Sequence, residues 1–193
     1  MYSLILDSAT KYLYICILKD ENILFEKYLE GKEGHAKNIV NIINVGLNTN
    51  NLDVCDLNEV IVGVGPGSYT GVRMAVCVAK MLAEFMPNIK LYKISTLKLL
   101  SSNLCGKVLV MIDARRNNSF ATIIDNTNNK YILEEKLYEN EFLLKQKYDH
   151  KVLETEYKVN PLYVIKNKEL VENPSLLIPN YLRDTEAERN LHD

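Results

Sequence analysis

The sequence lacks a long apolar run, paired cysteine spacings and an excess of charge of one sign. Its 193 residues hold 23 Lys and Arg against 25 Asp and Glu, and a net charge of −2 argues against strong nucleic-acid binding by the chain itself. No apolar run reaches membrane-spanning length, and no basic stretch precedes an apolar run at the start. We therefore expect neither a membrane span nor a signal peptide.

The cysteines exclude a further class of site. Cys16, Cys55, Cys77 and Cys105 show no metal-ligand or disulfide spacing, and most of them stand among apolar residues. This pattern favours core thiols in a reducing compartment over a zinc site. We expect a cytoplasmic protein of one or two domains without a metal ion of its own.

What the sequence does contain is a dense glycine-rich stretch, residues 65–73, between an apolar strand and an apolar helix. No lysine follows its glycines, as a P-loop requires, and its spacing fits neither the dinucleotide fingerprint nor the nucleophile elbow. Spacing alone favours a tight turn without a ligand, in which Ser68 or Thr70 caps the helix. The residues that we expect to form this glycine loop are Gly65, Gly67, Ser68, Thr70, Gly71 and Arg73.

Two helical segments are more apolar than a surface helix should be. Over residues 71–86 the charged side chains are Arg73, Lys80 and Glu84, which fall on one narrow stripe at about 100° per residue. The preceding pattern, residues 35–48, also carries apolar residues off its main stripe. A small domain offers few places that cover two helices on all sides. We therefore expect an interface with another chain, the alternative being two deep core helices.

The order of the remaining elements predicts two related halves. Residues 1–104 read as a three-strand meander, a helix, a strand and further helices, and residues 105–193 read as a smaller version. An apolar strand ends at Asp7 in the first half and at Asp113 in the second, each followed by a polar turn and an antiparallel strand. We predict an α/β chain with a first subdomain over 1–104, which carries the glycine loop and the apolar helices, and a reduced second subdomain over 105–193.

Several short motifs resemble those of the bacterial TsaB (YeaZ) family. Residues 65–73 are similar to its GPGSFTGxR signature, with Tyr69 in place of the phenylalanine. The resemblance covers almost the whole chain, and it implies the actin-like ATPase (ASKHA, ribonuclease H-like) fold with two related βββαβα halves, the second reduced. The other segments that resemble family motifs are Asp7-Ser8-Ala9-Thr10, Gly34-His35-Ala36, Asp113-Ala114-Arg115-Arg116 and Pro179-Asn180-Tyr181-Leu182-Arg183.

The resemblance implies a non-catalytic scaffold or activating subunit of the machinery that transfers threonylcarbamoyl to N6 of the tRNA adenosine next to the anticodon. It implies a dimer with the catalytic paralogue TsaD through the first two helices, and a TsaE ATPase near that junction. It also implies tRNA contact only through the complex, a homodimer when the partner is absent, and ATP or ADP at the assembly junction rather than a cofactor of the chain's own. The residues that we expect at the partner interface are Ile39, Ile42, Ile43, Leu47, Val72, Met74, Ala75, Val76, Val78, Ala79 and Leu82.

A small actin-like ATPase or phosphotransferase is the alternative. Asp7 and Asp113 end strands where such enzymes hold a magnesium–phosphate group, so both residues and Arg115 are expected near a nucleotide if one binds. Aspartate also caps turns readily, which would leave both acids without a ligand. The catalytic paralogue holds its metal with a His-x-x-x-His pair, whereas here His35 is followed by Ile39. A plain homodimer through the same helices is a third interpretation.

Overall fold

The computed structural model describes residues 1–31 and 35–182, and its larger sheet lies in the first half of the chain. The first three strands form an antiparallel meander, and the next two strands add in parallel beside the first. The central strands are buried on both faces, which explains why they read as continuous apolar runs. The strands are β1 (Tyr2–Asp7), β2 (Tyr12–Lys19), β3 (Asn22–Glu30), β4 (Glu59–Gly63) and β5 (Lys90–Ile94).

The second sheet repeats the strand order of the first. Its strands are β6 (Lys107–Asp113), β7 (Asn118–Asp125), β8 (Lys130–Glu139) and β9 (His150–Leu153). The order β8-β7-β6-β9 matches β3-β2-β1-β4, because β6 pairs antiparallel with β7 and parallel with β9 as β1 does with β2 and β4. The predicted α/β arrangement, with two related halves and a reduced second one, is confirmed.

The chain returns from the second half to the first sheet. A short strand, β10 (Glu169–Leu170), pairs antiparallel with β5, and the Val171 amide donates to the Leu91 carbonyl at 2.9 Å. Next to it, the Lys168 ammonium forms an ion pair with the buried Glu59 carboxylate. The sequence pattern predicts a helix over residues 161–170. The structure corrects this prediction, because the helix ends at Asn167 and residues 169–170 form a strand. The division of the chain at residue 104 stays a prediction.

Within residues 1–31 and 35–182, five helices connect the strands, and polar side chains cap several of them. Ser95 accepts from the Leu97 and Lys98 amides and begins α3, as its position before an apolar run predicts. A helix over residues 139–148 is predicted as well, and the observed α4 is shorter. The helices are α1 (His35–Thr49), α2 (Tyr69–Phe85), α3 (Thr96–Ser101), α4 (Asn140–Leu144) and α5 (Pro161–Asn167).

The main apolar core lies between the first sheet and the inner faces of α1 and α2. A side chain enclosed in its own core has no surface to offer to another chain. The expectation of partner contact is therefore corrected for seven buried residues, which are Ile39, Ile43, Leu47, Val72, Ala75, Val76 and Ala79. The remaining four, which stay partly accessible at the rim of this core, are Ile42, Met74, Val78 and Leu82.

A second apolar core joins the two halves. It lies between the other face of the first sheet and one face of the second sheet, with α3 and α5 packed into it. Cys16 belongs to this core, whereas Cys55, Cys77 and Cys105 are exposed, so the expectation of buried thiols holds for one residue only. Within the described residues, no helix has the length and apolar character needed to cross a membrane.

Candidate functional site

The glycine loop packs directly against the turn that follows β1. The Ser68 amide donates to the Ala9 carbonyl at 2.6 Å, and the Ser8 hydroxyl donates to the Gly71 carbonyl at 2.7 Å. A Cβ atom at Gly67 would overlap the Ala9 carbonyl oxygen, and one at Gly71 would overlap the Ser8 carbonyl oxygen. The glycines thus allow two backbone segments of the same chain to touch, which favours the tight turn without a ligand.

One hydroxyl of the loop begins α2. The Ser68 Oγ accepts from the Gly71 amide at 3.3 Å, and Thr70 lies inside the helix, so Ser68 is the cap. The other end of the loop is fixed to α3, since the Gly65 amide donates to the Thr96 hydroxyl at 3.1 Å and the Gly65 carbonyl accepts from the Thr96 amide. The loop therefore fixes the start of α2 relative to the sheet.

Asp7 is enclosed by the protein. Its Oδ1 accepts from the Ala9 amide at 3.1 Å and the Tyr157 hydroxyl at 3.0 Å, and its Oδ2 accepts from the Thr96 hydroxyl at 2.7 Å. Burial raises the pKa of this carboxyl, and the hydrogen bonds from Thr96, Ala9 and Tyr157 act in the opposite direction. Because the side chain is fully buried, it has no surface for a metal ion or a phosphate. Its predicted place near a nucleotide is corrected to a structural one.

Asp113 and Arg115 lie in the equivalent turn of the second half. The Asp113 carboxylate accepts from the Arg115 amide at 2.9 Å and so closes an Asx turn. Three successive residues, Arg115, Arg116 and Asn117, have left-handed backbone angles, with φ of 65°, 53° and 61°. Both Asp113 and Arg115 are exposed to solvent. This turn belongs to the second sheet, whereas Asp7 belongs to the first.

A surface groove lies along the outer face of α2. A groove of about 750 Å³ runs between this helix and residues 175–179; we call it the α2 groove. Its helix side carries exposed apolar side chains, Met81 at 54% and Phe85 at 72% exposure, together with the exposed Cys77. The sequence predicts that α2 is covered nearly all round, and within this chain it is not. The charged stripe of Arg73, Lys80 and Glu84 lines the same groove.

The far wall of the α2 groove is the extended segment after β10. Leu177 is buried against α2, and Pro179 also lines the groove. The Lys80 ammonium, from α2, donates to the carbonyls of Ser175 at 2.7 Å and Leu177 at 3.2 Å. These bonds hold the segment in place. No local sequence pattern predicts this wall, because residues 175–179 pack on a helix about a hundred residues earlier.

Two aromatic rings and one cation stack at the N-terminal end of the α2 groove. The Arg73 guanidinium lies 4.6 Å from the centre of the Tyr69 ring, and the Tyr69 and Tyr181 ring centres are 5.3 Å apart. Two of the motifs, the glycine loop and the segment 179–183, therefore meet here. Arg183, of the second motif, and Gly34, of another motif, lie outside the described residues.

No local sequence pattern predicts that Tyr157 contacts Asp7.

Metal ligands do not come together in the part of the chain that the structure describes. No group of three His, Cys, Asp or Glu side chains is arranged so that it could hold an ion there. The predicted site residues instead separate into three places. These are the glycine loop against the β1 turn, the β6–β7 turn, and the faces of α1 and α2.

Comparison with protein families identifies one match over most of the chain. The model described as "TsaD: tRNA N6-adenosine threonylcarbamoyltransferase" matches residues 29–169. The Bacillus subtilis "tRNA threonylcarbamoyladenosine biosynthesis protein TsaB" is 30% identical over 131 residues, 66% of this chain and 57% of that protein. The Escherichia coli protein of the same description is 30% identical over 120 residues, 60% of this chain and 51% of that protein. The chain thus spans about half the length of these relatives.

Solved structures resemble the fold closely. A Pseudomonas aeruginosa structure described as a protein with similarity to peptidase YeaZ superposes with a TM-score of 0.78 at 18% identity, covering 94% of this chain and 99% of that one. A second structure, described as YeaZ from the same organism, superposes with a TM-score of 0.74 at 17% identity. At this level of identity the likeness concerns the fold.

Proposed function

Because the chain belongs to the TsaD family of tRNA N6-adenosine threonylcarbamoyltransferases, we propose that it acts in tRNA threonylcarbamoyladenosine biosynthesis as a non-catalytic subunit. The names of its Bacillus and Escherichia relatives support the pathway. Two observations on this chain support the non-catalytic role. Asp7 is enclosed by its own hydrogen-bond donors, and Ile39 stands where a second metal-binding histidine would be expected in the catalytic paralogue.

The proposed partner is a TsaD-like catalytic subunit that docks on the outer face of α2. The observation that carries this proposal is the α2 groove, because exposed apolar surface of this kind marks interaction sites on proteins that are otherwise well covered. Cys77, Met81 and Phe85 supply its exposed centre, and Met74 and Leu82 extend it at the rim. Burying these side chains against a partner would add hydrophobic stabilisation that the single chain lacks.

The other components follow from the same proposal. A TsaE-like ATPase would join near this junction, where ATP or ADP would bind between subunits rather than in this chain alone. The slightly negative charge of −2 supports contact with tRNA through the complex and not through this subunit. Without its partner, the chain would self-associate through the same surface. The proposed compartment is the cytoplasm.

Reconstitution tests this function. We expect transfer of threonylcarbamoyl to tRNA by the TsaD-like subunit and the ATPase to rise when this chain is added. Phe85→Asp places a charge at the exposed centre of the α2 groove and should reduce both the stimulation and binding of the TsaD-like subunit by about tenfold or more. Phe142→Asp, at another exposed phenylalanine, on α4, is the control and should leave both unchanged.

Two results would contradict the proposal. If Phe85→Asp binds and stimulates like the native chain, then the α2 groove is not the docking surface. If the purified chain hydrolyses ATP without the other subunits and Asp7→Asn abolishes that turnover, then the chain is an enzyme. Thermal unfolding of each variant verifies that the fold is intact before the transfer assay is read.

A further inference from the structure

A second cavity, of about 530 Å³, lies between the two halves of the chain. Its lining comes from three places, with Ser95 after β5, Glu135 on β8 and Asn180 in the segment after β10. We call this cavity the inter-half cleft. Pro179 lines both the cleft and the α2 groove and so lies between the two. A cavity of this size is within the range of small-molecule sites.

Glu135 is a half-buried acid in the lining of the inter-half cleft. Its carboxylate accepts from the Tyr131 hydroxyl at 3.1 Å and from the Asn180 side-chain amide at 3.3 Å, and both donors are neutral. Burial raises the pKa of this carboxyl, whereas Ser95, Tyr131 and Lys98 act in the opposite direction. A carboxylate has about four acceptor positions, so Glu135 can accept from a further donor.

No cation pairs directly with Glu135 within residues 1–31 and 35–182, since no ammonium or guanidinium group lies within 4.0 Å of its carboxylate there. The lysine that lines the cleft, Lys93, pairs instead with Glu169 at 3.5 Å. The Lys98 ammonium lies 5.9 Å from the centre of the Tyr131 ring. A positive charge brought next to Glu135 would favour its ionised form and would be attracted to it.

The other lining residues add an apolar wall and two aromatic rings. Val64 and Ile94, at the ends of β4 and β5, are buried side chains of the wall. The rings are those of Tyr131 and Tyr181, which come from β8 and from the segment after β10. An apolar wall gains free energy by covering hydrocarbon, and the face of a tyrosine ring attracts a cation. The cleft thus combines an acceptor for a positive charge with a surface for hydrocarbon.

We infer that the inter-half cleft binds a small organic amine, with the protonated nitrogen on the Glu135 carboxylate and the hydrocarbon part against Val64 and Ile94. The carboxylate would repel an anion of the same shape, and a neutral alcohol would donate one hydrogen bond without a charge. This site is separate from the docking role proposed for the α2 groove, and the inference does not depend on that role.

Three probes that differ only in their head group test the inference. We expect hexylammonium to bind about tenfold more tightly than n-hexanol or hexanoate, because its hydrogen bond to Glu135 is assisted by charge. An amide chemical-shift titration of the native chain measures the three affinities and locates the site. The amides of Ser95, Glu135 and Asn180 should shift, and those of the α2 groove should not.

Two variants test the role of charge. Glu135→Gln should weaken hexylammonium binding by about tenfold and leave n-hexanol binding unchanged, because the acceptor loses its charge and keeps its size. Glu134→Gln is the matched control, since Glu134 is the exposed neighbour whose side chain points to the other face of β8. Lys93→Gln removes a positive charge from the lining and should tighten hexylammonium binding by about threefold.

The inference is overturned by equal affinities for the three probes, by shifts confined to the α2 groove, or by a Glu135→Gln variant that binds hexylammonium like the native chain. If thermal unfolding shows that this variant does not fold, then Lys93→Gln decides, and an unchanged affinity for hexylammonium overturns the inference. The titration uses the single chain, so its outcome and that of the transfer assay are independent.

Discussion

The two turns that follow β1 and β6 occupy the same place in the two halves of the molecule, and their environments are opposite. Asp7 is buried and accepts from Ala9, Thr96 and Tyr157. Asp113 is exposed and accepts from the amide of Arg115 within its own turn. Both carboxylates close a turn two residues on, so the local sequence does the same in each half. What differs is the rest of the chain that packs on them.

The helices of the two halves also differ in length. In the first half, the 15-residue α1 and the 17-residue α2 cover one face of the sheet, and the glycine loop before α2 contacts the β1 turn. In the second half, α4 has 5 residues and α5 has 7. The two halves therefore share the order of their strands, but the turns at Asp7 and Asp113 do not share the same surroundings. The side chains that enclose Asp7 are Thr96 of α3 and Tyr157 of the second half, so residues distant in sequence close this turn.

The largest loss of stability is expected when the glycine loop is separated from the β1 turn. Gly71→Ala would place a methyl group on the Ser8 carbonyl, where backbone and not a flexible side chain would have to move. We expect the free energy of unfolding to fall by about 3 kcal/mol, measured by urea denaturation.

Gly31→Ala is the control for this change. Gly31 has a φ of 126°, and no heavy atom lies within 4 Å of an added Cβ, so the loss should be about 1 kcal/mol and should come from the backbone alone. Equal losses for the two variants would show that the contact between the loop and the β1 turn is unimportant.

The pH dependence of stability should differ between the buried Asp7 and the exposed Asp113. Burial raises the folded pKa of Asp7 above the ordinary value of 3.8, so the folded chain holds this proton more tightly than the unfolded chain. The contribution of Asp7 to the free energy of unfolding therefore decreases as the pH rises from about 4 through the raised pKa. Asp7→Asn cannot ionise, so the variant should gain stability relative to the native chain over that interval, as measured by urea denaturation at a series of pH values.

Asp113→Asn provides the matched measurement in the second half. Asp113 is exposed, and its profile should run parallel to that of the native chain. A parallel profile for Asp7→Asn as well would show that the Asp7 proton is held no more tightly in the folded chain than in the unfolded one.

The smallest expected effect concerns the open turn. Arg116 holds a left-handed backbone angle, which a glycine adopts without steric cost. Arg116→Gly should therefore raise the free energy of unfolding by about 0.5 kcal/mol. Arg116→Ala keeps the Cβ atom and should not raise it, and a gain for both variants would instead point to the charge of the arginine.

Much of the fold follows from local patterns. The continuous apolar runs predict β1, β4 and β6, and the Asp20–Glu21 turn predicts the hairpin of β2 and β3. Ser68 or Thr70 predicts the start of α2, where Ser68 is the observed cap, and Ser95 predicts the start of α3. These features depend on residues that are close in sequence. β10 could not be predicted in this way, because its two residues gain their partners from β5, far earlier in the chain.

The candidate site was less predictable for the same reason. Apolar content alone could not separate the positions of α1 and α2 that face the sheet from those that face outward, so Val76 and Phe85 were not distinguished. The enclosure of Asp7 depends on Tyr157, which is 150 residues away. The prediction of a tight turn at the glycine loop came from the residues that the loop lacks, because their absence excludes the known phosphate loops.

The return of the chain to the first sheet constrains how the protein is made. While the ribosome synthesises the first hundred residues, β5 has a free edge and Glu59 has no lysine beside it. The edge of β5 gains its partner strand, and Glu59 gains its lysine, only after Lys168 and β10 have left the exit tunnel. A nascent chain halted before that point would present an unpaired strand edge and a Glu59 carboxylate without its lysine, so a later part of this chain stabilises an earlier part.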